Sequence, residues 1–245
     1  MGDNAGAMCL KRLAPIVFIV FVVLTATASS ALATATTTKA QWKAGVSSGS
    51  VSALPAGGLP LSISLGKNPT VGEKFVMETT AYEAPISIEF SKVSCVGCKI
   101  TNQDEVHPGV AIGRGRLLFS GGHIGPPWNC AIEGGQVETD PLIFEAHYME
   151  EAKWLLRISP AVGEHVFTIV PESFCWLTNL PVKGVNFGQF VNKTGVFATS
   201  QTLEFSPTIS TAAGSSWFGN PTFTMRATGT LILKTAEATP YFGVE

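Results

Sequence analysis

The sequence predicts an all-β protein, an antiparallel β-sandwich with a β-barrel as the alternative, behind an N-terminal signal helix. Three observations favour this class. Short segments alternate apolar and polar residues with a period of two, turn-forming Gly, Pro and Asn separate them at short intervals, and no stretch beyond the leader keeps a helical period for three turns. Many short strands divided by turns are typical of sandwiches and barrels.

Residues 1–33 have the three parts of a secretory signal peptide. Lys11 and Arg12 precede an apolar run at 13–24, and small residues follow it, with cleavage expected after Ala33 or Ala35. The run is shorter than the ~20 residues that a membrane-spanning helix needs. An uncleaved anchor is the alternative. We expect a secreted, extracellular or cell-envelope protein that meets the membrane only through this leader.

The rest of the chain is expected to be a loose arm at 34–58 and one all-β domain at 59–245. The arm is rich in Ala, Thr, Ser and Gly and holds Trp42. Alternation predicts the first strands at 61–65, 75–80 and 86–90. A further strand at 114–120 stops at Gly121 and Gly122.

Residues 142–149 and 154–158 predict a hairpin around a short polar link. A helix over 142–156 is compatible with the composition, but Pro141 and the β-branched and aromatic residues favour strands. The remaining predicted strands lie at 165–170, 181–191, 202–206 and 222–233.

Composition excludes several function classes. The chain is 45% hydrophobic and 14% charged, so it is not disordered through charge. Its net charge is −2, and it contains no Lys/Arg-rich run. We therefore expect no nucleic-acid partner.

The central segments resemble a group of secreted β-rich proteins of unknown function from high-GC Gram-positive bacteria. The resemblance covers about residues 85–235. It rests on the Cys-x-x-Cys strand at 95–98, Phe-Ser-Gly-Gly at 119–122, Trp-Asn-Cys at 128–130, Phe-Cys at 174–175 and Pro-Val-Lys-Gly at 181–184. In that group a cysteine often follows the Phe-Ser-Gly strand, where this chain has Gly122 or His123, and Cys98 is expected to replace it. The resemblance implies a secreted β fold and no activity.

Four cysteines remain beyond the leader: Cys95, Cys98, Cys130 and Cys175. A redox pair at Cys95 and Cys98 would need a helix after a strand, and the flanks favour strand. A zinc site lacks the second Cys-x-x-Cys. Two structural disulfides in an oxidising compartment are preferred. Of three possible pairings we favour Cys98 with Cys130 and Cys95 with Cys175, because cysteines separated by two residues in a strand rarely bond each other without a turn.

The sequence predicts no catalytic residues, no metal site and no cofactor. The histidines at 107, 123, 147 and 165 are not at ligand spacing, and the Ser-rich stretches at 46–50 and 213–217 lack the nucleophile-elbow pattern. The one pair of interest is Glu145 with His147, which share a strand face. Glycosidase-type carboxylates cannot be chosen from the sequence.

Of the five tryptophans, Trp217 is the best candidate for an exposed aromatic, because Trp217 and Phe218 lie in a predicted loop. Exposed aromatics in β modules can bind sugars, although tryptophans in strands more often pack in the core.

The leading hypothesis is a non-enzymatic binding or structural protein with a possible cell-wall or glycan contact. The alternatives are a secreted hydrolase of polysaccharide or ester, and a carrier of a small apolar ligand, which requires a cavity of ~300 Å³ or more.

Overall fold

The computed structural model describes residues 40–66, 74–81, 84–103, 108–149, 153–177, 179–192, 196–206, 216–217, 220–224, 226–235 and 241–245. The leader at 1–33 lies outside these ranges. The first nine strands are β1 (Trp42–Ser47), β2 (Ser50–Ala53), β3 (Leu59–Leu65), β4 (Phe75–Ala81), β5 (Ala84–Gln103), β6 (Pro108–Ile124), β7 (Cys130–Ala131), β8 (Gln136–Glu138) and β9 (Leu142–Met149). The other nine are β10 (Lys153–Pro160), β11 (His165–Ile169), β12 (Leu180–Lys183), β13 (Asn186–Phe190), β14 (Gln201–Phe205), β15 (Ser216–Trp217), β16 (Asn220–Thr224), β17 (Arg226–Thr235) and β18 (Tyr241–Val244).

The described part of the chain is all-β, as predicted. Its helical content is one short 3₁₀ turn at Glu133–Gly135. Within those ranges no helix has the length and apolarity that crossing a membrane requires.

The largest sheet closes into an eight-stranded antiparallel barrel. Its order is β5, β6, β9, β10, β13, β14 and β17, and the eighth position is shared by β3 and β4. Strands β3 and β4 both pair with β17, with Leu65 of β3 opposite Leu231 and Met77 of β4 opposite Ala227. Both also pair with β5, so the ring has no open edge there. The barrel alternative therefore describes this structure, and a sandwich is not confirmed.

Alternation along the barrel strands sends apolar side chains inward. Phe119 on β6 packs against Phe90 at 5.0 Å and Phe75 at 5.5 Å between ring centroids. Phe75 in turn meets Phe205 edge-on at 5.2 Å. All four rings are buried. Aromatic pairs at such distances add to the stability gained from apolar burial, so the barrel is filled at this level.

A smaller sheet, β11-β12-β15-β16, packs against the barrel. Residues 161–185, which include β11 and β12, are called the cap below. Phe167 of the cap lies 5.7 Å from Phe119, so the cap contributes to the barrel core. Backbone hydrogen bonds join the two, with Asp140 N donating to Val166 O and Glu133 N to Val170 O.

The structure describes residues 40–58 of the segment that the sequence predicts to be a loose arm. Strands β1 and β2 form a hairpin that pairs with β18 in a three-stranded sheet. Trp42 is fully buried. The Asn102 side chain accepts a hydrogen bond from the Trp42 backbone N–H and donates one to the Trp42 backbone carbonyl, both at 2.7 Å. Over residues 40–58 the chain is therefore held by strand pairing and by one large buried ring, although its composition is typical of a loose arm.

The hairpin at 142–158 is confirmed, with β9 and β10 paired from Met149–Lys153 to Leu142–Pro160. The predicted strand at 181–191 is instead two strands, β12 and β13. Gly184 separates them with φ +95°, a backbone conformation that favours glycine. The strand predicted at 222–233 is likewise divided between β16 and β17, which lie in different sheets.

Candidate functional site

The four cysteines pair as Cys95 with Cys98 and Cys130 with Cys175, with Cα–Cα distances of 5.8 and 5.9 Å. Both distances are within the usual range for disulfides. The favoured sequence-based pairing, Cys98 with Cys130 and Cys95 with Cys175, is therefore wrong.

The reason is a kink in β5 between the first two cysteines. Gly97 has φ +62°, and the register with β6 shifts between Val96 and Lys99. This bulge supplies the turn that the sequence-based argument required for a bond between neighbouring cysteines. The flanks are strand, as expected.

The second disulfide holds a turn with two exposed aromatic rings. Phe174 and Trp176 flank Cys175, and 65% of Phe174 and 94% of Trp176 is accessible to water. We call Phe174, Cys175 and Trp176 the aromatic tip. An isolated exposed apolar side chain needs no explanation, but here two exposed rings flank one crosslinked residue.

The base of the aromatic tip is fixed to the barrel side of the molecule. Cys130 and Leu177 are buried, and Pro171 forms a β-bridge with Ile132. Within the turn, Cys175 N donates to Glu172 O at 2.8 Å. A turn whose backbone is already fixed loses less entropy when a ligand binds to it.

The charges beside the aromatic tip are acidic. In the two segments that the disulfide joins, 130–135 and 171–177, the charged residues are Glu133 and Glu172. Their backbones are tied to the facing segment, through Glu133 N to Val170 O and Glu172 N to Ala131 O. Carboxylates accept hydrogen bonds from hydroxyl groups and repel phosphates.

The exposure predicted for Trp217 and Phe218 stays a prediction. Trp217 lies in β15, but its side chain is outside the described part, as is all of Phe218. Trp42 and Trp154 are buried in the core. Trp176 was missed, although its position next to a cysteine in a Pro-Glu-Ser-Phe-Cys-Trp turn was a usable signal.

Glu145 and His147 do lie together on the outer face of β9, and β10 adds Arg157. His147 Nε2 and an Arg157 guanidinium nitrogen each lie 3.1 Å from Glu145 Oε2. Contact with the His147 imidazole, assisted by Arg157, lowers the pKa of Glu145 to about 2 against the opposing effect of burial. Such a compact cluster joins the two strands of the hairpin, and its residues line neither the cavity beside the cap nor the groove beside Gly97.

The other histidines are separate from one another. His123 lies 3.1 Å from Asn129 Oδ1, and His165 contacts Asp140 and Thr168. His107 lies outside the described residues. Where side chains are described, no three His, Cys, Asp or Glu residues come together as metal ligands.

The described part of the molecule contains a cavity beside the cap and an open groove. The cavity, between the barrel and the cap, is partly open and has a volume of about 50 Å³ and a mainly apolar wall that includes Phe119, Phe167 and Lys183. The open groove has a volume of about 330 Å³ and lies beside Gly97 and Arg116. The cavity beside the cap is far below the ~300 Å³ of ordinary ligand pockets, so it gives no support to a carrier.

Comparison of the chain with protein-family models, with curated proteins and with solved structures finds no match.

Proposed function

We propose that this chain is an exported binding protein whose aromatic tip holds a neutral polysaccharide. The observation that carries the proposal is Trp176, whose ring is 94% exposed while the disulfide in its own turn fixes the backbone. Tryptophan is enriched where a large apolar face and one polar donor meet a ligand together.

The charges favour carbohydrate over the other partners of exposed aromatics. A sugar offers an apolar ring face and hydroxyl donors, which match the two aromatic rings and the neighbouring carboxylates of Glu133 and Glu172. An anionic lipid surface would instead select Lys and Arg beside the rings, and the two joined segments contain neither.

Export is part of the proposal and has two supports. The leader at 1–33 has the signal-peptide pattern, and Cys130 is paired with Cys175 as expected of a protein that folds in an oxidising compartment. The low charge and the filled barrel are compatible with a stable scaffold that presents a surface site.

The test uses the chain expressed with its own leader in a secreting host and purified from the medium. Affinity electrophoresis in gels containing hydroxyethyl cellulose, dextran or heparin compares neutral with anionic polysaccharides. We expect retardation by at least one neutral polymer and none by heparin. Retardation by heparin alone, or by no polymer, would refute the proposal.

Substitutions locate the contact. Trp176→Ala should weaken binding about tenfold or more, which equals ~1.4 kcal/mol. Trp176→Phe keeps a flat ring and should retain part of the affinity, whereas Trp176→Leu should lose it. Val162→Ala is the matched control, since Val162 is an apolar cap residue that is 87% exposed. Equal binding by the Leu variant, or uptake by phosphatidylglycerol vesicles instead of glycan, would contradict ring stacking.

A further inference from the structure

Three side chains of the cap and its neighbouring segment form a hydrogen-bonded line. His165 Nδ1 lies 2.6 Å from Asp140 Oδ2, and His165 Nε2 lies 2.9 Å from Thr168 Oγ1. Because a carboxylate can only accept, the imidazole Nδ1–H donates to Asp140, and the free lone pair on Nε2 accepts from the Thr168 hydroxyl. In such an arrangement the carboxylate orients the imidazole, and the imidazole can take the proton of the hydroxyl.

The fold fixes each member of the line. Thr139, buried next to Asp140, accepts from Leu117 N at 2.9 Å and donates its own N–H to Leu117 O at 2.9 Å. Asp140 N then donates to Val166 O at 2.7 Å, which joins it to β11. The β11 register shifts between His165 and Phe167. This bulge changes the alternation, so residues three apart can share a face.

A cation lies opposite the imidazole of the line, and the same cation reaches a cavity. Lys183 of β12 is directly opposite His165 in the ladder. Side chains so placed project from the same face with Cβ atoms about 5 Å apart. Lys183 also lines the partly open cavity of about 50 Å³, together with Val166 and Phe167, whereas Asp140, His165 and Thr168 are not among its wall residues. An ammonium group can stabilise a developing oxyanion, and the cavity has room for a short acyl group only.

We propose that Asp140, His165 and Thr168 form a hydrolytic site for short-chain acyl esters. Thr168 and His165 are the catalytic residues, Asp140 positions the imidazole, and Lys183 faces the carbonyl oxygen. This activity is separate from glycan binding, since it requires only the ester and water.

The reaction balances without a further reactant. Thr168 Oγ attacks the ester carbonyl carbon while its proton moves to His165 Nε2. The bond from that carbon to the alcohol oxygen breaks, and the alcohol leaves with the proton from His165. Water then attacks the acyl-threonine and gives up a proton to His165. The carboxylic acid departs, and the proton returns to Thr168.

The rival explanation is that these three side chains only hold the cap against the barrel. Variants of Thr168 distinguish this structural role from a catalytic one. The assay is hydrolysis of p-nitrophenyl acetate and p-nitrophenyl octanoate by the purified, exported protein. We expect acetate to be preferred. Thr168→Val removes the hydroxyl at constant shape and should lower the acetate rate about 100-fold or more, as should His165→Gln. Thr168→Ser keeps a less hindered hydroxyl and should hydrolyse acetate at least as fast as the parent.

His147→Gln is the control, because His147 also contacts a carboxylate but faces no Thr hydroxyl in the described contacts. Its rate should equal that of the parent. A fluorophosphonate probe on the parent protein gives a readout that no variant's folding affects, and peptide mapping should place the adduct on Thr168. Parental activity in Thr168→Val, equal losses in the His165 and His147 variants, or no adduct on Thr168 would overturn the proposal.

Discussion

The two disulfides are expected to differ in the stability they confer, and replacing each pair by alanine tests the pairing directly. In the chain-entropy description, a crosslink stabilises by restricting the unfolded chain, with an effect that grows with the loop it closes. The bond between Cys130 and Cys175 spans 45 residues, and that between Cys95 and Cys98 spans 3.

These separations give contributions of about 4 kcal/mol for Cys130–Cys175 and about 1.6 kcal/mol for Cys95–Cys98 at 25 °C. For a domain of this size, each kcal/mol moves the midpoint of thermal unfolding by about 2–4 °C. Removing the bond between Cys130 and Cys175 should therefore lower the midpoint by about 8–16 °C, and removing the bond between Cys95 and Cys98 should lower it by about 3–6 °C.

Calorimetry or circular dichroism of the exported protein measures both midpoints, with the parent protein as reference. Peptide mapping without reduction should recover Cys95 linked to Cys98, and Cys130 linked to Cys175. If Cys98 were bonded to Cys130 and Cys95 to Cys175, replacing Cys95 and Cys98 would open both long loops. A loss from that variant equal to or larger than the loss from the Cys130/Cys175 variant would refute the reasoning.

Two further predictions concern the barrel. The folded pKa of Glu145, about 2, is below its ordinary 4.5, so the carboxylate stabilises the fold above pH 4.5 and this contribution is lost as pH falls toward 2. Glu145→Gln should therefore lower the free energy of unfolding by about 1–2 kcal/mol at pH 7 and by little at pH 2. The value at pH 7 allows for solvent screening, because the partners of Glu145 are partly exposed. Urea titrations at both pH values measure this, and an equal loss at the two would contradict it. A methyl group at Gly122 would lie 2.5 Å from Ile132 Cδ1 and 2.9 Å from Phe90 Cε1. Gly122→Ala should therefore lower the free energy of unfolding by about 1–3 kcal/mol. Gly49→Ala, where the added group meets nothing within 4 Å, should change it by less than about 0.5 kcal/mol; similar effects of the two would contradict the packing argument.

The fold class could be predicted because alternation is a local property of each strand. Residues 61–65 and 142–149 have one buried face whether the sheet is layered or closed, so the pattern alone does not separate a sandwich from a barrel. Closure depends on the pairing of β17 with β3 and β4, and no local signal specifies those partners.

The candidate sites were harder to predict for related reasons. Gly97 permits the bend that joins Cys95 to Cys98, but its positive φ is visible only in the structure. The contact between Asp140 and His165 joins residues 25 apart and depends on how the cap lies against the barrel. Whether a tryptophan faces core or solvent likewise depends on the tertiary fold, which is why Trp176 was missed.

Chemical-shift mapping of the isotope-labelled protein during titration with the neutral polysaccharide tests the central claim most directly. The aromatic tip should show the largest changes, at the amides of Phe174 and Trp176 and at the Trp176 indole N–H. Largest changes elsewhere, or none at saturating polymer, would contradict a binding role for these rings.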